Sequence, residues 1–314
     1  MSDTEFDNEF MDDITNKQPN VQGDKLVQQA EKRLKAISFF NPTKHEDAID
    51  LLDKAAAQYK ATKNWLEAAQ CFVRCAEICE KSTDIIFDAC NYYVNAGKMY
   101  RHFELHSSIK MFEIAVQMHQ EQHRFSAAAK LYKEIAQCYE RLSNLREAMK
   151  MWKKAADCYE AEDSTTNANL CLQRVAELFV ENQEYQKAIQ LYEKISKTSL
   201  ERNVGKWTAK DYLYKALMCT FVLLAKQNQL DLFQQKLDQY KDLLPSLDGS
   251  RECKFVEECM LAYMDDDLER FSTVVFAYNQ IYKLDDFSTR VLFEIKQLLR
   301  NGGNMDENDE QDLC

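Results

Sequence analysis

The sequence AMKMWKKAADCYEAEDSTTNANLCLQRVAELFVENQEYQKAIQLYEKIS (residues 148–196) decides the fold, because its small and bulky side chains return every twenty residues. Ala148, Trp152 and Ala156 stand four residues apart, and the same order of sizes recurs twenty and forty residues later. Residues four apart share one face of an α-helix, where a bulky side chain can pack over the alanines of a neighbouring helix. Each unit therefore predicts one helix and its turn, and two units predict a helical hairpin.

The same spacing continues towards the N-terminus. Its small positions there are Ala48, Ala68, Asp88, Ser108 and Ala128, and its bulky positions are Leu52, Phe72, Tyr92, Phe112 and Tyr132. Among the small positions only Asp88 departs from the pattern, because it is neither small nor neutral. Stacked hairpins of this kind form a solenoid. We therefore predict an all-α, tetratricopeptide-like, right-handed solenoid over residues 24–200, in which antiparallel helices form a twisted sheet.

The twenty-residue register ends near residue 200. The stretch TAKDYLYKALMCTFVLLAKQN (208–228) predicts a longer and more apolar helix, suited to burial inside a bundle. Four shorter helices are expected near residues 229–243, 251–264, 267–282 and 286–300. Residues 201–300 are therefore predicted to form a C-terminal helical bundle that caps the solenoid.

The net charge of −12 is concentrated at the two ends of the chain. Residues 1–23 hold six acidic side chains and one lysine, and residues 301–314 hold five acidic side chains and no basic one. Such polar, one-signed segments favour disorder. We therefore predict a disordered acidic extension (1–23) and a flexible acidic tail (301–314). The nearly neutral remainder is able to carry a local basic surface.

The sequence offers no strong metal or catalytic site. It contains no phosphate-binding glycine loop and no HExxH or GxSxG string. Cys71, Cys75 and Cys79 stand at helical spacing, whereas zinc sites usually use a closer CxxC pair and need a fourth ligand. His102 and His106 fall at a predicted helix junction without a nearby cysteine. We therefore predict buried structural cysteines, solvated histidines, no metal, no cofactor and no enzymatic activity.

The length of the apolar stretches and the charge of the first residues predict the cellular compartment. No stretch approaches the roughly 20 apolar residues of a membrane span. The start, MSDTEFDNEFMDDI, is acidic, unlike a basic and apolar signal peptide. We therefore expect a soluble cytoplasmic protein, and nothing in its charge pattern points to nucleic acid.

Several strings match a known family. They are KATKNWLEAAQCF (60–72), RFSAAAK (124–130), ANLCLQRVAEL (168–178), QEYQKAIQLYEKI (183–195), KWTAKDYLYKALMC (206–219) and SRECK (250–254). Generic helical repeats do not share these strings. From about residue 25 to its C-terminus the chain therefore resembles the soluble NSF attachment proteins, most closely their alpha form. The resemblance implies an adaptor in vesicle trafficking, which binds assembled SNARE complexes and recruits and stimulates the hexameric ATPase that disassembles them.

The resemblance implies that a basic concave face meets the acidic SNARE four-helix bundle. The matching basic residues are Lys60, Lys63, Arg101, Arg124, Lys130, Arg174, Lys210 and Arg251. Long cationic side chains can meet scattered carboxylates without an exact register. The sequence departs from the family at Leu170, where a lysine is expected.

The resemblance also implies a weak, peripheral membrane contact. Phe39 and Phe40 occupy the place of the family's apolar loop between its first two helices. Two exposed aromatic rings at a turn favour reversible adhesion to a lipid surface. The alternative is that they pack on the start of the helix near His45.

The ATPase is expected to bind the C-terminal end. The matching residues are Asp265 with Asp266 and Asp267 beside it, and Asp309, Glu310, Asp312 and Leu313 in the tail. Leu261 and Met264 depart from the family, which usually has acidic residues there.

Two other classes of binding protein stay open as alternatives. A tetratricopeptide co-chaperone that clamps an acidic C-terminus would show a 34-residue period, whereas two units here give forty. A scaffold subunit of a large complex such as the proteasome lid would carry a distinct assembly domain at its C-terminus.

Overall fold

A computed structural model describes residues 20–35, 44–81, 88–202 and 205–302. Within these ranges the chain forms fourteen α-helices, two 3₁₀ turns (Leu230–Leu232 and Pro245–Leu247) and no strand. The all-α prediction is confirmed. The helices are α1 Val21–Lys35, α2 Lys44–Ala61, α3 Trp65–Cys79, α4 Ala89–Tyr100, α5 Leu105–Glu121, α6 Phe125–Arg141, α7 Leu145–Glu160, α8 Thr165–Glu181, α9 Tyr185–Glu201, α10 Lys206–Gln227, α11 Phe233–Leu243, α12 Arg251–Met264, α13 Leu268–Ile281 and α14 Asp286–Gly302.

The chain divides into two compact units. The first ends at Asp163 and contains α1–α7, and the second begins at Ser164 and contains α8–α14. The predicted boundary between solenoid and cap, near residue 200, lies inside the second unit. Helices α8 and α9 therefore share a unit with the C-terminal helices.

Helix α1 begins earlier than predicted. It starts at Val21, three residues before the predicted boundary at residue 24. The Asn20 side chain explains this start: its Oδ1 accepts a hydrogen bond from the Gly23 amide at 2.9 Å, and its Nδ2 donates to a backbone carbonyl of α2 at 2.9 Å. Gly23 also lies so close to the Tyr59 ring that an added Cβ would come within 2.8 Å.

The burial of the repeat positions confirms the size pattern. Ala48, Ala68, Ala128, Ala148 and Ala188 are fully buried. The bulky positions four residues later are also buried, except Tyr92, which is half-buried. Each fully buried large side chain stabilises the fold by about 1.5–3 kcal/mol. The exception among the small positions is again Asp88, which is exposed.

The turns repeat with the same period as the helices. Lys63, His123, Ser143, Asp163 and Gln183 all have φ between 54° and 58°, the left-handed conformation that follows a helix C-terminus. In most of these turns the next amide bonds back to a carbonyl five residues earlier, as from Asn144 to Tyr139 at 2.9 Å. None of the five is glycine. From residue 123 to residue 183 the turn geometry therefore repeats every twenty residues without the residue type that normally marks it.

Alternate helices of the first unit are neighbours as well as consecutive ones. Arg74 of α3 donates to Glu31 of α1 at 2.9 Å, and Arg101 at the end of α4 pairs with Glu134 of α6. Consecutive helices are antiparallel and pack on each other. The unit therefore has two layers, with α1, α3, α5 and α7 in one and α2, α4 and α6 in the other.

Helix α10 is the centre of the second unit. It packs against α9, α11, α12 and α14, and nearly every residue from Tyr212 to Val222 is buried. This includes the charged Lys215, whose side chain is 6% exposed. None of the helices that the structure describes is both long enough and apolar enough to cross a bilayer.

Replacing Gly97 by alanine is expected to destabilise the first unit by about 1–3 kcal/mol, because the core there has no room for a methyl group. A Cβ at Gly97 would lie 2.7 Å from the buried Phe112 ring, and the Gly97 carbonyl accepts a hydrogen bond from Ser108 at 2.8 Å. Urea unfolding of the variant and the parent measures the change. An unaltered midpoint would show that α4 and α5 do not pack this closely.

Candidate functional site

Three of the predicted bundle-binding residues lie on one layer of the first unit. Lys60, Arg101 and Lys130 belong to α2, to the end of α4 and to α6. Lys60 and Lys130 are exposed, whereas Arg101 is half-buried and paired with Glu134. This layer therefore offers exposed ammonium groups and one guanidinium that is already partly neutralised.

Two further predicted residues lie at turns, at opposite ends of the helices. Lys63 is in the α2–α3 turn, at the same end as Arg101, where the Trp65 and His102 rings stack with centroids 4.1 Å apart. Arg124 precedes α6 at the other end. The 17 residues of α5 separate the two ends by about 25 Å. The structure therefore does not gather the first unit's cations into one cluster.

Arg174, in the second unit, is engaged with acidic residues of its own helix. It donates to Glu177 at 3.2 Å and to Glu181 at 3.3 Å, and its side chain is 31% exposed. An acidic partner has to compete with these two carboxylates. Leu170, one turn earlier, is 53% exposed.

Lys210 and Arg251 converge on one carboxylate, although they are 41 residues apart in sequence. Glu252 accepts from Lys210 at 3.0 Å and from Arg251 at 2.9 Å. Burial acts to raise the pKa of Glu252, but the hydrogen bonds from its two cationic neighbours hold this pKa below its ordinary value. The Arg251 guanidinium also lies over the Tyr282 ring, 4.1 Å from its centroid.

Trp207 is a candidate contact residue that the sequence analysis missed. Its side chain is 80% exposed and lines a cavity of about 750 Å³ together with Lys206, Lys210 and Arg251. The Lys210 ammonium lies 4.8 Å from the centre of the indole. Tryptophan and arginine are enriched among the few residues that contribute most to binding at protein interfaces.

The three consecutive acids of the second unit form an exposed turn between α12 and α13. Asp265 pairs with Arg270 at 2.7 Å, and Asp267 accepts from the Arg270 amide at 2.8 Å as the N-cap of α13. Asp266 has a φ of 53°. Leu261 and Met264, which precede this turn, are exposed. Two of the three predicted ATPase contacts therefore also shape the turn that presents them.

The remaining predicted contacts lie outside the described residues. These are the membrane contacts Phe39 and Phe40 and the tail contacts Asp309, Glu310, Asp312 and Leu313.

The cysteines are buried, as predicted. Ten of them lie in the described ranges, and all ten are buried and unbridged. Burial raises the pKa of Cys71 to about 12 and that of Cys79 to about 11, so their thiols stay protonated at neutral pH. His102 is stacked on Trp65, and burial, together with Arg101, lowers its pKa. In the part of the chain that the structure describes, no three His, Cys, Asp or Glu side chains could hold a metal ion.

Comparison with known proteins supports the family resemblance that the matching strings indicate. The family model of the soluble NSF attachment proteins matches residues 21–300. The chain is 32% identical to an alpha-soluble NSF attachment protein of Vitis vinifera over 282 residues, which cover 90% of this chain and 96% of the relative. It is 29% identical to the mouse alpha protein, with 92% and 96% covered. A probable vesicular-fusion protein of Schizosaccharomyces pombe, a sec17 homologue, is 27% identical, with 88% and 96% covered.

The fold and the exposed charges define the class of protein to which the chain belongs. The chain is a helical-repeat protein that exposes cations on its repeat layers and acids at a C-terminal turn. The family match over residues 21–300 then specifies the class: the chain belongs to the soluble NSF attachment protein family.

Proposed function

We propose that this protein is an adaptor that binds assembled SNARE four-helix bundles and recruits an NSF-type hexameric ATPase to disassemble them. It has no catalytic step of its own in this proposal. The basic layer residues bind the bundle, and the acidic turn and the tail bind the ATPase. The names of its relatives, which are NSF attachment and vesicular-fusion proteins, support this role.

The observation that carries the proposal is the placement of Lys60, Arg101 and Lys130 on one layer. A row of cations spread over alternate helices suits a long, acidic, rod-like partner better than a small ligand. Arg and Lys on such a surface tolerate different carboxylate positions, so one adaptor can serve bundles of different sequence. Because most of these groups are exposed, binding weakens as salt is added.

In the second unit, Trp207 and the pair Lys210 and Arg251 supply a different kind of contact. Their cavity combines a large apolar ring with cations whose charge Glu252 partly balances. A bundle surface that places an apolar side chain beside a carboxylate fits this combination. Trp207 would then anchor the complex, while the surrounding charges orient it.

The ATPase-facing groups are the acidic turn Asp265–Asp267 and the tail that ends in Leu313. Asp265 and Asp267 are fixed by Arg270, so the turn presents its carboxylates in a defined geometry. Phe39 and Phe40 add a weak lipid contact, and several adaptor copies on one bundle strengthen it by avidity. The protein is thus expected to act at the cytoplasmic face of membranes.

Replacing Trp207 by alanine is expected to weaken bundle binding by about tenfold, because an 80% exposed indole has little role in the fold and a large area to bury on a partner. Pull-down of an assembled, soluble SNARE bundle measures the change. Exposed Phe276, at 65%, provides the matched control, since Phe276→Ala removes a ring of similar exposure from α13. Equal affinities of both variants and the parent would remove Trp207 from the bundle surface.

The proposal as a whole is tested by comparing partners. The protein is expected to retain the assembled bundle and not the separate, unfolded SNARE chains. Its affinity for the bundle is expected to fall as the salt concentration rises from about 50 to about 300 mM, because the Debye length then shortens by roughly twofold and exposed charges are screened. Binding of an isolated acidic C-terminal peptide, with no binding of the bundle, would instead support the co-chaperone alternative. The twenty-residue turn spacing already disfavours that alternative.

A further inference from the structure

Glu181 connects two arginines of different helices. At the end of α8, it accepts a hydrogen bond from Arg174 at 3.3 Å and forms an ion pair with Arg290 of α14, whose nitrogen lies 2.9 Å from the carboxylate oxygen. Its side chain is 21% exposed, so these pairs are less screened by water than pairs at the open surface. Arg174 is a predicted bundle contact, and α14 is the helix from which the acidic tail continues. One carboxylate therefore pairs with a proposed bundle contact on α8 and with an arginine of α14.

The surroundings of Glu181 form a connected charged cavity. Its volume is about 440 Å³, and Arg174, Glu181 and Arg290 all line it. At its base, the buried Lys215 ammonium lies 3.6 Å from Glu177 of α8 and 3.7 Å from Asp285, directly before α14. Helices α8, α10 and α14 thus share their charges in one network. A change in the pairing of one member alters the others.

We propose that Glu181 is a positioning residue that couples bundle binding at Arg174 to the placement of α14. This inference rests on the proposed function. When a carboxylate of the bundle binds Arg174, the guanidinium turns away from Glu181. Glu181 is then left to Arg290 alone, and their pair becomes stronger. The N-terminal half of α14 is held more firmly against α8 as a result.

The coupling is reciprocal, as any linkage between two binding events must be. Firm pairing of Arg290 with Glu181 leaves one carboxylate fewer to compete with the bundle for Arg174, which still pairs with Glu177, and loss of Arg290 leaves Glu181 to Arg174.

The first test uses hydrogen exchange of α14 in the full-length protein. Glu181→Gln is expected to raise exchange of residues 290–294 about threefold in the absence of any partner, which matches the strength of a partly exposed pair. Addition of assembled SNARE bundle is expected to slow this exchange in the parent and not in the variant. Glu193→Gln is the matched control, since Glu193 pairs with Lys236 of α11 at 2.6 Å. An α14 response to the bundle that survives in Glu181→Gln would overturn the coupling.

The second test is a double-mutant cycle on bundle affinity. Arg290→Gln is expected to weaken bundle binding about threefold, because Glu181 then pairs with Arg174 alone. In the Glu181→Gln background the same substitution is expected to have no effect. A loss of affinity that is equal in both backgrounds would show a general charge effect and contradict the proposal. Arg290 is half exposed, so its replacement is expected to leave the fold intact, and the unfolding midpoint of the variant checks this.

If the proposed function is wrong, the experiments give a different set of results from those expected when only the coupling is wrong. If the parent protein binds no bundle, the adaptor proposal fails, and the coupling is judged in the free protein. There, Arg174→Gln is expected to slow α14 exchange when Glu181 is present and to leave it unchanged in Glu181→Gln. An effect of Arg174→Gln that does not depend on Glu181 would exclude the relay.

Discussion

Charge reversal at both Arg124 and Lys130 is expected to abolish binding of the assembled SNARE bundle, with a loss of about 100-fold or more. Both side chains are exposed, so glutamates at these positions would place like charges opposite an acidic partner, which costs several kcal/mol. The helical circular dichroism signal and the unfolding midpoint are expected to stay near those of the parent. Sedimentation with labelled bundle measures the affinity.

The chain offers a matched control for this double reversal on the other layer. Arg146 and Lys150 lie on α7, are both exposed, and Lys150 has the same repeat position as Lys130. Reversal of both changes the net charge by the same amount. We expect it to weaken binding far less, because α7 belongs to the other layer, with α1, α3 and α5. Equal losses in the two variants would assign binding to net charge and contradict the proposed face.

Replacement of Leu313 by alanine is expected to leave bundle binding unchanged while disassembly by the ATPase falls by at least about tenfold. A single apolar side chain after a run of acids offers the ATPase one anchor, and loss of an anchor commonly costs about 2 kcal/mol. In this variant the ATPase would still be attracted by the carboxylates of Asp309, Glu310 and Asp312, but it would not be bound in the orientation needed for disassembly. Disassembly of a labelled bundle, followed by fluorescence, separates the two steps.

Met305→Ala is the control for the tail, since it removes the other long apolar side chain of residues 303–313. It is expected to keep most of the activity. If Leu313→Ala disassembles bundles at the parent's rate, the tail's end has no docking role, and the acidic turn Asp265–Asp267 must carry the contact alone.

The sequence predicts the helices well because the period of twenty residues determines both packing and turns. Alanines in the small positions are buried where the pattern places them, and the left-handed turn residues follow at the same spacing. The start of α1 is predicted less well. Its cap depends on Asn20 bonding to a carbonyl of α2, a contact between helices that no local pattern contains.

The candidate surfaces are only partly predictable, because a family pattern gives residue types and not their partners. The pattern identifies Lys210 and Arg251, but not that both pair with Glu252. Trp207 begins an apolar helix, so its sequence context suggests burial rather than 80% exposure. The pairing of Lys215 is easier to predict from the sequence than the exposure of Trp207, because a charged residue within the apolar run of α10 requires a buried counter-charge.

The placement of Glu181 between Arg174 and Arg290 depends on tertiary structure alone. Arg290 is over a hundred residues distant from both in sequence, and its approach follows from how α14 packs on α10. A helix-spaced pair such as Arg174 and Glu177 is visible in the sequence, but it predicts only a local ion pair.

Disassembly of a purified, labelled SNARE bundle by the hexameric ATPase and ATP, with and without this protein, tests the central claim most directly. The adaptor account predicts no disassembly when the protein is omitted and rapid, ATP-dependent disassembly when it is present. It also predicts that the protein is recovered with the bundle before ATP is added. Disassembly at the same rate with and without the protein, or no recovery with the bundle, would contradict the account.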